Sequence, residues 1–425
     1  VTAIPNDTST CARCSSATVS IHEAIPWCPR CEWNLDRYDP NRRSPEFGWR
    51  WIDRRTHQLA YRLTRRQFTE LAERSLDRPR LNLARITTVT FSLLLLAGVV
   101  ALAVGGGWLA TYRFPSLATV LGVAALGLAI ALRPRLGKLD PLVDVLPRDK
   151  APALHQLIDE VAAAVGAPRP DVVAVDHTFN AYATSVGLRR RRVLCLGLPL
   201  WGSLGPQERV ALLGHELGHF VNGDIRRGLL TQPAFTMLGS AADLVRPVDT
   251  VGGGDGVGFV GVIGEMLANM LQSMLSRLLF GAHLLLVWVG LRDAQRAEYL
   301  ADELAARAAG STAAVRLLDT FLTADVVTML VHREARAGRG PAHWRVAADE
   351  ARTSVTDLPR LRQLSVRDDV SLFSSHPPAG LRARMIEARQ WRTATVVLTE
   401  TRSEQVDAEL VRDYERTRRT ISWAH

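Results

Sequence analysis

The sequence predicts a mainly α-helical protein with a small β-sheet, attached to transmembrane helices and preceded by a small cysteine-bearing module. Three observations carry this expectation. Residues 86 to 132 hold two long uncharged apolar runs, helical apolar periodicity dominates after residue 140 with only three short strand-like stretches, and two CxxC pairs lie within the first 31 residues.

The apolar runs come first in the argument because they set the compartment. Ile86 to Tyr112 contains no charge and exceeds the ~20 residues a helix needs to cross a bilayer. After Arg113 a second uncharged run, Phe114 to Leu132, carries Gly122 and Gly127 as small residues that let two helices approach closely, so a tight helical hairpin is expected. A buried pair in a soluble core is the competing reading, and the run lengths disfavour it. Arg74, Arg78, Arg80 and Arg85 precede the hairpin and Arg133, Arg135 and Lys138 follow it, with only Arg113 between, so the positive-inside rule places both ends in the cytoplasm. The first thirty residues lack the apolar run of a secretory signal, which agrees with a cytoplasmic N-terminus.

Composition excludes disorder: of 425 residues, 47% are hydrophobic and 22% charged, enough for two or three domains with a large core. The net charge of +9 is carried almost wholly by arginine, since Lys138 and Lys150 are the only lysines, a bias that suggests a GC-rich bacterial genome. Between Arg42 and Arg80 the arginines are interleaved with Trp49, Trp51, Tyr61 and Phe68. Such a segment beside a membrane helix fits anionic lipid better than nucleic acid, so membrane lipid is the expected partner and nucleic acid is not.

Beyond the hairpin, Pro152 to Val165 places Leu154, Leu157, Ile158 and Val161 on one helical face, and Val172 begins a strand. Ala181 to Val186 and Val193 to Leu198 read as further strands around the basic turn Arg189 to Arg192, with Cys195 a buried strand residue. Then comes His215-Glu216-Leu217-Gly218-His219. Two imidazoles four residues apart share one face of a helix and can close on one metal ion, while the intervening Glu supplies a base that deprotonates a zinc-bound water. Pro206-Gln207-Glu208 starts that helix, Asn222-Gly223-Asp224 ends it, and the polar flanks suggest a soluble-facing element. After an apolar region, in which Leu278 to Leu291 could belong to a tilted span or an interfacial hairpin, Glu298 and Asp302 share a helical face. Glu298 could supply the third ligand and leave a fourth position open; Asp302 suits a hydrogen-bond partner for a ligand or a nearby Arg.

In this order of motifs the chain resembles the HtpX-type family of membrane zinc endopeptidases, the group that includes the CAAX prenyl endopeptidases, in their gluzincin type. Besides His215-Glu216-x-x-His219 and Glu298-x-x-x-Asp302, the family's Asn-Ala-aromatic motif is matched by Asn180-Ala181-Tyr182, and its late His-Pro motif and following Arg by His376-Pro377 and Arg382. The resemblance covers roughly residues 85 to 390. It implies a zincin-like metalloprotease domain with zinc ligands His215, His219 and Glu298, and Glu216 as general base. It further implies that Asn180 and Tyr182 hold an extended peptide at an edge strand, that His376 stabilises the oxyanion, and that Arg382 packs against the Glu-Asp helix. The implied substrate is a protein or peptide, and the implied setting is quality control or processing of membrane proteins.

Cys11-x-x-Cys14 and Cys28-x-x-Cys31, thirteen residues apart, have the spacing of a ribbon in which four thiolates hold one structural zinc; a redox dithiol or disulfide is disfavoured in the cytoplasm. Two zinc ions are therefore expected, one catalytic and one structural. The expected layout is a zinc ribbon over 1–40, a basic juxtamembrane segment over 41–85, the hairpin over 86–132 and a metalloprotease core over 140–228 and 292–395. A membrane-associated insertion at 229–291 interrupts the core, and 396–425 forms a C-terminal extension. The expected location is the bacterial inner (plasma) membrane, with the catalytic domain and ribbon facing the cytoplasm. A site-two-type intramembrane protease also uses HExxH, but Glu208, Arg209, Asn222 and Asp224 flank the motif here and make a spanning helix costly. A metal-binding scaffold or sensor acting through the ribbon is the alternative outside the enzymes.

Overall fold

The computed structural model describes residues 10–41 apart from 22, 49–74, 83–133 apart from 113, 137–223 apart from 188, and 259–423. The expected linker at 252–256 and the apolar stretch 229–244 lie outside these residues. The chain divides into two units: Val1–Pro79, Lys138–Ile225 and Ala294–His425 form one, and Arg80–Gly137 with Arg226–Asp293 the other.

In the second unit, α2 (Leu83–Thr111) contains a 23-residue stretch, Val89–Thr111, that is long and apolar enough to cross a membrane. Little of that stretch is buried, and Leu94 and Val104 are 66% and 68% exposed. A helix apolar on all sides that leaves most of its surface uncovered needs an apolar medium, which supports membrane association. Its partner α3 (Leu117–Ala131) has 15 residues, shorter than the second arm expected, because the helix starts only after Pro115 and Ser116. The two pack at Gly106 and Gly122, where a Cβ on Gly122 would meet Ala110 N at 2.3 Å. Gly127, expected at this crossing, has open space around it and is not part of the contact.

The first unit is built on a four-stranded sheet in the order β1-β2-β4-β3, comprising β1 (Asp144–Val145), β2 (Val172–Asp176), β3 (Ala181–Val186) and β4 (Arg191–Gly197). β2 and β4 run parallel and the other pairs antiparallel, so β3 is an edge strand. β4 starts inside the basic run, where Arg192 forms a two-pronged bond to Asp171 at 3.0 and 3.1 Å. The helix α4 (Pro152–Val165) opens with proline at its first position and closes on Gly166 in the left-handed region, φ 71°. Leu154, Leu157, Ile158 and Val161 are buried in the main apolar cluster, where α4 packs on α6, each contributing roughly 1.5–3 kcal/mol of apolar burial.

Following the short α5 (Leu198–Ser203), α6 (Pro206–Asn222) carries the two histidines through the middle of the domain. The Glu208 carboxylate accepts from Gly205 N at 3.0 Å and so satisfies one free donor of the first turn. The flanking charges that suggested a solvent-facing helix are buried instead. Arg209 is fully enclosed, donating to Trp201 O and Ser403 Oγ and pairing with Asp407 at 2.9 Å, while Glu208 is held by Arg352 at 2.7 Å and Arg316 at 3.0 Å. Paired charge, and not exposure, is what lets these residues sit there.

The remaining helices are α7 (Phe259–Ala309), α8 (Ser311–Leu322), α9 (Ala324–Arg336), α10 (Pro341–Thr353), α11 (Leu358–Asp368), α12 (Ala379–Glu387), α13 (Glu400–Glu409) and α14 (Val411–Ser422); α1 (Arg50–Ala72) follows the cysteine module. α7 passes residue 291 without a break, and the segment has no proline and is rich in Leu, Met and Ala. The C-terminal segment is part of the core. Val396, Leu398, Val406, Leu410 and Tyr414 join the main apolar cluster, and Glu409 accepts from Ala153 N and Leu154 N, capping α4.

Candidate metal centre

α6 crosses α7 at a distance that only glycine allows. A Cβ on Gly214 would meet Ala305 Cα at 2.9 Å, and one on Gly218 would meet Ala301 Cα at 3.0 Å. Each glycine precedes a histidine, so the close approach carries His215 and His219 up to Glu298 on the facing helix. These glycines were missed in the sequence, although two of them four apart inside a helix, at about 1 kcal/mol each relative to alanine, signal a packing requirement. Gly214→Val is expected to destabilise the domain by about 1–3 kcal/mol and to weaken metal binding, read by thermal unfolding and by metal content after dialysis.

The three ligand atoms of His215, His219 and Glu298 lie within 4.8 Å of one another. His215 Nε2 is 3.5 Å from Glu298 Oε2 and His219 Nε2 is 3.6 Å from Glu298 Oε1. Ligands at zinc bond lengths in a tetrahedron stand about 3.4 Å apart, so the donor set fits such an ion. Glu298 Oε2 supports the fit a second way: it is buried and accepts no well-directed hydrogen bond, with His376 Nδ1 2.8 Å away. Behind the ligands, Arg382 on α12 binds both oxygens of Asp302, at 2.8 and 2.7 Å, and Asp302 Oδ1 lies 3.0 Å from His215 Nδ1. An ionised carboxylate only accepts, so Nδ1 carries the proton and Nε2 is left to bind a cation.

Burial alone would lower the pKa of His215, but hydrogen bonds to Asp302 and Glu298 carry it up to about 10. These partners favour the charged ring, so metal binding there is coupled to release of a proton. Burial pushes the Glu298 carboxyl up, yet His215, His376 and Arg382 together hold it well below the ordinary carboxylate range. Asp302, opposed by burial in the same way, is lowered by Arg382. Glu216 goes the other way: burial raises it, against the pull of His215 and His219. The two carboxyls of the site are thus shifted in opposite directions.

His376 lies in the loop before α12, and its side chain is 59% exposed. Gln295, one turn before Glu298 on α7, donates to Ser374 O at 3.0 Å and ties this loop to the ligand helix. Asn180 and Tyr182 stand at the start of the edge strand. Their recorded partners belong to the sheet: Asn180 O accepts from Gly197 N at 2.8 Å, and Tyr182 faces Cys195 across the β3–β4 pair. β3 also packs on α6, which places this edge beside the histidine helix.

The four cysteines Cys11, Cys14, Cys28 and Cys31 form a second cluster, with ligand atoms within 4.8 Å of one another. The Sγ atoms of Cys11 and Cys31 are 3.6 Å apart and those of Cys14 and Cys28 3.5 Å. That is well beyond the ~2.05 Å of a disulfide and near the ~3.8 Å of two thiolates on one tetrahedral zinc. The two turns are built alike. Ser15 N donates to Cys11 O and Glu32 N to Cys28 O, both at 2.9 Å, and the residue after each second cysteine, Ser15 or Glu32, takes a left-handed φ of 57° or 54°.

A profile of Peptidase family M48 matches residues 148–390, more than half of the chain, taking in both helices of the His-His-Glu site. The chain belongs to peptidase family M48. Relatives of this M48 chain include the Protease HtpX homolog of Persephonella marina, 26% identical over 258 residues, which are 59% of this chain and 79% of the relative. That of Pyrobaculum aerophilum is 28% identical over 56% of this chain and 68% of its own, and that of Syntrophobacter fumaroxidans 27% identical over 56% and 76%. No solved structure matches. Family membership and the donor cluster together make this M48 protein a metal-binding protease, and the family match does not extend to the cysteine module.

Proposed function

We propose that this M48 protein is a membrane-anchored zinc endopeptidase with His215, His219 and Glu298 as its metal ligands. The observation that carries the reading is the convergence of these three donors from two helices, with Glu216 beside them on the histidine helix. A zinc ion held there supplies Lewis acidity, which acidifies water and polarises the scissile carbonyl. Glu216, whose pKa burial raises, takes the proton of the attacking water and delivers it to the departing amine. His376 turns Nδ1 toward Glu298 Oε2 at 2.8 Å, which leaves Nε2 as the nitrogen for the oxyanion of the tetrahedral intermediate. Asp302 and Arg382 orient His215.

The open edge of β3 suits an extended peptide added as a further strand, with Asn180 and Tyr182 at its start. The four-cysteine cluster holds a structural zinc. The arginines flanking α2 and α3 favour a cytoplasmic catalytic unit at the inner membrane, acting on membrane proteins in quality control or processing. Removal of metal tests the reading. Phenanthroline is expected to abolish casein cleavage by the purified protein, and added zinc to restore it; chelator-insensitive cleavage would contradict the assignment.

A further inference from the structure

The cysteine module lies outside the family match, yet its contacts with the protease core are specific. Trp27 Nε1 donates to Gln363 Oε1 at 3.0 Å, and Gln363 Nε2 returns a bond to Pro29 O at 2.8 Å. Arg367 is fully buried; it stacks over Trp27 at 5.1 Å and donates to Ile25 O. Trp27, Ala24, Leu35 and Leu364 form a small apolar core of their own. These contacts hold α11. Glu32, the left-handed residue after Cys31, takes two arginines at 2.6 Å each, Arg65 of α1 and Arg384 of α12.

α12 is the helix that carries Arg382. Two residues apart on a helix point about 200° apart, so Arg382 faces the metal centre while Arg384 faces the cysteine module. With nine residues α12 is too short to be stable alone, and its position depends on what grips it. Its first turn sits against α11, where a Cβ on Gly380 would meet Arg362 O at 2.0 Å and Gly380 N donates to Ser365 Oγ. Its outer face is covered by Glu32 and, from α1, by Phe68 and Leu71, the latter in one cluster with Met385 and Tyr299. Both helices of the pair are therefore held by the module. The backbone bonds of the second knuckle aim Glu32: Glu32 N donates to Cys28 O, and Cys28 N to Trp33 O.

We propose that the cysteine module positions the catalytic metal centre: Glu32 holds α12 through Arg384, which keeps Arg382 on Asp302 and His215. Glu32 and Arg384 are positioning residues, and the thiolate cluster, by shaping the knuckle, is the foundation on which they act. This inference rests on the proposed His215-His219-Glu298 site.

The test uses the purified full chain in detergent, with zinc per chain and the affinity of each site measured by chelator competition, together with amide exchange over α12 and steady-state kinetics. Glu32→Ala and Arg384→Ala are each expected to keep the thiolate-bound ion, to weaken zinc at the histidine site about tenfold and to lower kcat similarly with KM unchanged. Exchange over 379–387 is expected to quicken, and the double variant to lose no more than either single one. Cys28→Ser, which releases the thiolate-bound ion, is expected to produce the same loss at the distant site. Unaltered zinc affinity at the histidine site in Glu32→Ala, or losses that add in the double variant, overturn the proposal. Should the unaltered chain bind zinc only at its cysteines, the site reading itself fails and the inference falls with it.

Discussion

Replacing Glu216 by Gln is expected to reduce kcat by about 10²–10⁴-fold while leaving the metal content of the protein unchanged. The amide has the shape of the carboxylate and fits the same buried position, 6% exposed, so packing on α6 is preserved. What disappears is a group that can hold a proton between the attacking water and the leaving amine. The lost activity and the retained metal must be measured on one preparation, by peptide hydrolysis and elemental analysis. A variant that cleaves within about tenfold of the unaltered chain would remove Glu216 from the chemistry, and one that loses its metal would show that this carboxylate serves binding instead.

Arg382→Ala is expected to cost about 3–5 kcal/mol of stability, because it strands the Asp302 carboxylate in a site that is 3% exposed. Arg382 supplies both of the short bonds to that carboxylate, and burial pushes the carboxyl toward its neutral form once they are gone. Without the two bonds from Arg382 the Asp302 carboxyl is no longer fixed in place and holds His215 Nδ1 less firmly, so the imidazole loses its set orientation. Zinc affinity is expected to fall about 10–100-fold. Denaturant unfolding and chelator competition measure the two effects separately. Arg382→Lys, which keeps the charge but not the two-pronged geometry, is expected to recover part of the stability and less of the affinity.

Local patterns were sufficient for much of the architecture. Pro152 to Val165 reads as a helix because proline at the first turn, glycine after the last and an apolar face at helical spacing all agree, and the observed α4 has the same bounds. The strands expected at 181–186 and 193–198 are nearly as plain, since short runs bounded by turns have few other uses, and they are observed at 181–186 and 191–197. Failures arose where a residue's partner is distant in sequence. Arg209 looks like a surface charge until Asp407 and Ser403, nearly two hundred residues away, enclose it. The segment 396–425 looks like an extension until Gln207 is seen donating to Val396 O at 2.7 Å and Glu409 capping α4.

At the centre itself, the candidate donor groups are local features of the chain: two imidazoles on one helical face, a carboxylate between them, a second carboxylate pair at i and i+4, and four thiols in two CxxC pairs. Periodicity and spacing act within a few residues, so these groupings are fixed wherever the helices and turns form. Tertiary structure alone decided how closely the groupings meet. The contact of α6 with α7 depends on what Gly214 and Gly218 lack, the tautomer of His215 on a carboxylate 87 positions away, and the seating of Arg382 on a helix gripped from Cys28 and Glu32 to Arg384. Such contacts depend on distances between elements far apart in the chain, and no local pattern encodes those distances.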